Sequence, residues 1–178
     1  MAKFPTKCVV DTNVPITANK VRDLNDITDL SLIECIENCV EAIRQVSNNK
    51  SFVMDEGNEI YDEYRHKLNL QGQPGVGDMF LKLVHDFRWQ LPQDYRVKIT
   101  KQGDSYKEFP MHEGLKDFDL SDRKFVAVAN AHPQKPPILQ ATDSKWWGWK
   151  DALKEKGINV EFLCPDYCRE KYLKKFNE

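Results

Sequence analysis

Apolar and polar positions along this chain follow two different periods, and the switches between them mark out its elements. Cys8-Val9-Val10 is a short unbroken apolar run closing on Asp11, the pattern of a strand covered on both faces. Leu30, Ile33, Ile36, Cys39, Val40, Ile43 and Val46 then recur at three- and four-residue spacing, which predicts an amphipathic helix ending at Ser47-Asn48-Asn49. A second strand is predicted over 51–55. A helix carrying Ile60, Tyr64 and Leu68 follows, and Gln71-Gly72-Gln73-Pro74-Gly75-Val76-Gly77-Asp78 breaks it. The stretch 79–89 returns to the helical period. Between 91 and 114 the pattern weakens, and only Tyr95-Arg96-Val97-Lys98-Ile99-Thr100 alternates like a strand. Beyond it the sequence predicts a helix after Asp122, a strand running up to Asp143, a helix near 149–156 and a strand over 158–163.

Strands alternating with helices predict an α/β fold, with a parallel central sheet of about four to five strands and helices on both faces. Right-handed crossovers bring the carboxyl ends of such strands to one edge, where open α/β sheets keep their sites. Asp11 and Asp143 both close apolar runs and so share that edge. Further acids come from Asp119-Leu120-Ser121-Asp122, at a helix start, and from Glu59-Ile60-Tyr61-Asp62-Glu63-Tyr64. Each has an ordinary structural role open to it, and Asp122 as a helix cap would be worth ~1 kcal/mol. Glu59 and Glu63 lie four residues apart on one helix face, so spacing does not choose between them. Asp119 either joins the cluster or caps the helix. As a set, converging carboxylates repel one another unless a cation sits among them, and hard oxygen donors suit Mg²⁺ or Mn²⁺.

The order of Val9-Val10-Asp11-Thr12-Asn13, Glu63-Tyr64, Asp119-Leu120-Ser121-Asp122-Arg123-Lys124-Phe125 and Ala141-Thr142-Asp143 resembles the PIN domain family of metal-dependent nucleases, over roughly residues 6–165. The resemblance implies one PIN-like domain over 1–178, with 166–178 as a C-terminal tail or short helix. It implies a Mg²⁺- or Mn²⁺-dependent endoribonuclease in which Asp11, Glu63, Asp122 and Asp143 are the catalytic metal ligands. The Glu-Tyr pair favours Glu63 over Glu59. Asn13, Thr142 and Asp119 would orient the ligands or the attacking water. The implied partners are an RNA substrate and, for a toxin or defence effector, a protein antitoxin or other regulator, with a homo-oligomer left open. The chain is longer than a minimal PIN toxin and departs from that pattern over 72–114. Two other functions stay open: a catalytically silent PIN-like binding module, and a structure-selective DNA nuclease, whose long helical arch is not evident here.

Composition narrows the field further. A chain of 178 residues, 40% hydrophobic, is sized for one domain with a real core. A net charge of -2 argues against strong nonspecific binding of polyanions through overall charge, so local cations matter. Lys145, Lys150, Lys154 and Lys156 surround Trp146, Trp147 and Trp149 just after Asp143, a pairing of rings and cations suited to unpaired bases. Trp146, Lys145 and Arg123 are the candidate substrate contacts, with Trp149 the best candidate for the core. The glycines at 72, 75 and 77 follow a helix and lack the ending of a phosphate loop, so a connection flanking the groove is expected instead. The four histidines show no ligand spacing.

Five cysteines without an apolar leader are expected to be reduced. The paired spacings Cys35/Cys39 and Cys164/Cys168 permit a four-thiolate zinc site in principle, although buried free cysteines on a helix face are commoner. No run approaches the ~20 apolar residues of a membrane helix, so a soluble, cytoplasmic protein away from membranes is expected.

Overall fold

The short apolar runs become strands of a mixed α/β fold in the computed structural model, which describes residues 4–176. Among these residues the strands are β1 (Val9–Val10), β2 (Met54–Asp55), β3 (Arg96–Val97), β4 (Lys101–Gln102), β5 (Ser105–Tyr106), β6 (Ile138–Gln140) and β7 (Val160–Phe162). The α-helices are α1 (Asn13–Asn19), α2 (Leu30–Asn49), α3 (Glu59–Lys67), α4 (Val76–Phe87), α5 (Arg123–Ala131), α6 (Lys145–Glu155) and α7 (Pro165–Phe176). Residues 166–176 therefore belong to a helix.

β1, β6 and β7 form a parallel three-stranded sheet with β6 in the centre, and Val9 and Val10 lie opposite Ile138 and Leu139. On the outer side of β1, Cys8 makes a parallel bridge to Phe52: the Cys8 N–H donates to Ser51 O and the Val53 N–H to Cys8 O, both at 2.8 Å. β2 in turn pairs in parallel with β3. The five segments thus lie in the order β3, β2, β1, β6, β7, but a continuous ladder joins only the last three. The strand expected over 95–100 shrinks to Arg96–Val97, and the chain then turns into the antiparallel hairpin of β4 and β5. Polar residues on both sides of Val97 leave no longer apolar run to pair.

Successive side chains of a strand point to opposite faces, and every residue of β1 and β6 is buried, so both faces of the central strands are covered. α5 packs against β1 and β6, α1 against β6, α6 against β7 and α3 against β2. One hydrophobic cluster runs from Cys8 to Cys164. Within it Phe80 meets the edges of Phe52 and Tyr64, with centroids 5.8 and 5.6 Å apart. Buried Asp55 ends β2 and accepts the Glu59 and Ile60 N–H groups at 2.8 and 3.0 Å, which sets where α3 begins.

Three local features differ from the sequence-based expectations. α1 has no periodic apolar stretch to announce it. The glycine-rich segment is no free connection: α4 starts inside it, and a Cβ on Gly77 would lie 1.9 Å from Pro15 O, so only glycine lets α4 approach α1 this closely. Asn19 Oδ1 accepts the Gly77 N–H at 2.8 Å, and Asp78 Oδ2 accepts the Gly75 N–H at 2.7 Å. Finally, the cysteines are not all reduced. Cys35 on α2 and Cys164 after β7, 129 positions apart, form a disulfide, while Cys8, Cys39 and Cys168 are free and buried. The pair meets because α2 packs along α7, where Asn38 Nδ2 also donates to Leu163 O at 3.0 Å. Spacing within each helix carried no sign of it. The bond removes the four-thiolate zinc arrangement from this state of the chain.

Denatured without reductant, the purified protein is expected to show three reactive thiols, rising to five after reduction. Cys35→Ser should lower stability by up to ~5 kcal/mol, the loop-entropy limit for so long a loop. Five thiols without reductant would contradict the pairing.

Candidate metal centre

The acids singled out in the sequence converge at the carboxyl ends of β1 and β6. Asp11 follows β1, where its own N–H donates to Leu139 O at 3.1 Å and its Oδ1 accepts the Asn13 N–H at 2.9 Å. It is 1% exposed. Glu63 stands on the inner side of α3, and its neighbour Tyr64 ties that helix to β1 by donating its hydroxyl to Val10 O. Glu63 Oε1 accepts the Thr12 hydroxyl at 2.6 Å, and Oε2 pairs with Lys124. Asp122 ends the 3-10 turn that leads into α5, and its Oδ2 accepts the Trp146 indole N–H at 3.3 Å. Asp143 closes the turn after β6, with Oδ1 accepting the Lys145 N–H at 3.1 Å. Carboxylate oxygens of Asp119, Asp122 and Asp143 lie within 4.8 Å of one another.

Asp11 and Glu63 lie outside this trio, but their charges act on it. Burial, and then the charge of Asp122, push the Asp11 carboxyl well above the usual carboxylate range, with Glu63 and Asp143 adding to the shift. Burial, and then Asp143 and Glu63, raise Asp122 to about 6. Asp143 is raised as well, by burial first. Such a set repels itself, and the oxygens of Asp119, Asp122 and Asp143 are close enough together to hold a metal ion. Beside the acids opens a cavity of about 480 Å³ lined by Thr12, Asn13, Glu63, Asp122 and Lys124, among others.

The structure separates the two glutamates that spacing could not. Glu59 also lines the cavity, but its carboxylate turns to the hairpin, accepting the Tyr106 hydroxyl at 2.9 Å and pairing with Lys101 at 3.1 Å. Glu63 is the one that faces Thr12 and the aspartates. Asp119 lies inside the acid trio, beyond the orienting role expected of it, and also holds Lys145 Nζ at 2.8 Å. Asn13 reaches the site through its backbone. Thr142 is half-buried on the turn before Asp143.

The expected substrate contacts fare differently. Trp146, expected to face the groove, is fully buried, edge-on to Phe118 at 5.0 Å. The reason is that α6 begins at Lys145, earlier than its apolar pattern suggests, which puts Trp146 and Trp149 on one inward face. Trp149 lies 4.3 Å from the same Phe118 ring, and Trp147 packs on Phe162. Arg123 is likewise spent on structure, donating to Phe118 O, Lys116 O and Ser105 Oγ. Lys145 is occupied by Asp119. Two site residues lay outside the sequence reading: Thr12, adjacent to Asp11, and Lys124, which only the packing of α5 on α3 brings to Glu63.

Comparison of the chain with protein-family models, with curated proteins and with solved structures finds no match. The site therefore rests on its own geometry.

The raised carboxyls make stability depend on pH with a defined sign. The unfolded chain releases the Asp122 proton near the ordinary 3.8, whereas the folded protein holds it to about 6. Stability from this group is complete below 3.8 and is lost as pH rises through that window, because the unfolded state then binds fewer protons. In metal-free buffer the melting temperature should fall across this range, and Asp122→Asn should flatten the fall and raise melting at neutral pH. An unchanged profile in the variant would mean that Asp122 is not crowded by its neighbours.

Proposed function

We propose that this chain is a PIN-like, Mg²⁺- or Mn²⁺-dependent endoribonuclease. The observation that carries the reading is the approach of Asp119, Asp122 and Asp143 to within 4.8 Å of one another, with Asp11 at the end of β1 and Glu63 on α3 beside them, and with Asp11, Asp122 and Asp143 held above the ordinary carboxylate range by burial first. When bound, the metal would lower the pKa of a coordinated water and polarise a phosphoryl oxygen. The chain's own residues do the holding. Asp11 and Asp143 present oxygens from strand ends, Asp122 is oriented by the Trp146 N–H, and Glu63 by the Thr12 hydroxyl. The cavity beside them, of about 480 Å³, is where a phosphate would meet the acids. Against a structure-selective DNA nuclease stands the segment 93–118, which folds as short turns and one small hairpin.

A second reading, a binding module without catalysis, draws on one observation: the Lys124 ammonium already neutralises Glu63. Metal uptake separates the two readings.

Single-stranded RNA should be cleaved in Mn²⁺ or Mg²⁺ and spared in chelator. Asp143→Asn and Asp11→Asn should each lower the rate by at least about 100-fold, beyond the 10–100-fold typical of residues that only orient a ligand. Glu63→Gln should be far more damaging than Glu59→Gln. Mn²⁺ should also raise the wild-type melting temperature, because it binds only the folded state. Cleavage that survives Asp143→Asn, or a melting temperature indifferent to millimolar Mn²⁺, would remove the nuclease assignment.

A further inference from the structure

Both oxygens of Glu63 are engaged. Oε1 accepts the Thr12 hydroxyl at 2.6 Å, and Oε2 is held by Lys124 Nζ, which also donates to Ser121 O at 2.6 Å. The two charged side chains are only 13% and 15% exposed. Lys124 lies in the first turn of α5, two residues after Asp122, and its ammonium is anchored on Glu63 and Ser121 at the border of the acid group. Asp11 is in the opposite condition. It is 1% exposed, its Oδ1 takes the Asn13 N–H, and among the described residues no donor reaches Oδ2. The site therefore contains one buried carboxylate with an oxygen to spare and one whose outward oxygen is blocked by a cation of the protein's own.

Resting on the metal-dependent reading above, we propose that Lys124 is a placeholder cation: it occupies the Glu63 position until a divalent metal displaces it, and so sets the metal concentration at which the site fills. A metal that takes the Glu63 carboxylate must break the Lys124–Glu63 pair. The pair is sheltered enough for its loss to weigh on binding, unlike the solvent-exposed pairs on α2 and α4. The ammonium has somewhere to go, because Lys124 and Ser121 line the open cavity. Competition of this kind is a coupling between two cations at one carboxylate, and removing one strengthens the other.

The test is Mn²⁺ titration by calorimetry on the full chain. Lys124→Met should bind Mn²⁺ about 5- to 20-fold more tightly than wild type, the range of a modest coupling, and Lys124→Arg should return towards wild type. Lys67→Met is the control, since Lys67 lines the same cavity but pairs with no acid among the described residues; it should shift affinity far less. Equal shifts in the two Met variants, or no tightening in Lys124→Met, would overturn the placeholder role while leaving the metal site standing. Absence of Mn²⁺ binding in wild type and Lys124→Met alike would overturn the metal-dependent reading and this inference with it. Should Lys124→Met fail to fold, wild type alone decides: reductive methylation of Lys124, followed by mass spectrometry, should increase when Mn²⁺ is added, and an unchanged extent refutes the displacement.

Discussion

Repulsion among carboxylates held out of water is the constraint around which this molecule is arranged. Asp11 is almost fully buried at the end of β1, and each of its acidic neighbours makes its ionisation harder. Left alone, such a cluster would spread or take up protons. Here it is pinned by groups that donate to it: the Asn13 N–H on Asp11, the Trp146 indole on Asp122, the Thr12 hydroxyl on Glu63 and the Lys145 N–H on Asp143. Donors to an ionised carboxylate favour the charged form, so they offset part of the cost that burial imposes. What they leave uncompensated is the demand for a cation.

The rest of the fold keeps those donors and acceptors from drifting. Tyr64 ties α3 to β1, so the helix that carries Glu63 cannot move apart from the strand that carries Asp11. Asp55 fixes the beginning of the same helix. α1, directly after Asp11, is clasped by α4 through Gly77 and through the bonds between Asn19 and Asp78. On the far side the Cys35–Cys164 disulfide joins α2 to the end of β7, and buried Cys168 on α7 donates to Ala141 O at 2.8 Å, two residues before Asp143. Parts of the chain distant in sequence thus brace the turns that present the acids.

The surroundings of the acid group divide its glutamates and its cations into distinct tasks. Glu59 and Lys101 hold the β4–β5 hairpin against α3, and Arg123 holds that hairpin to the turn before α5. Lys145 neutralises Asp119 at one border of the group, and Lys124 neutralises Glu63 at another. Among the described residues Asp11 and Asp143 each take one donor and pair with no cation, and Asp11 is the more deeply buried of the two. A site organised in this way has its strongest unmet attraction for positive charge at its base and its exchangeable contacts towards the opening.

Much of the fold class was legible from local pattern. Unbroken apolar runs closing on Asp11 and Asp143 mark strands covered on both faces, and the 3.6-residue period of α2 is plain in Leu30 to Val46. Those runs also put Asp11 and Asp143 at strand ends on one sheet edge, whereas Glu63 and Asp122 were singled out by the family resemblance. Other features are invisible locally because they depend on contacts between distant residues. Glu59 and Glu63 are equivalent on a helical wheel, and only the hairpin that captures Glu59 distinguishes them. Trp146 beside Asp143 reads as an exposed ring near a site, until the start of α6 turns it inward onto Phe118. Cys35 and Cys164 become partners only once α2 lies along α7. Sequence by itself determined which residues are acidic, which runs are apolar, and hence which elements could form. Tertiary packing alone decided which side chains meet, because burial, ion pairing and pKa are properties of neighbours that the order of residues does not name.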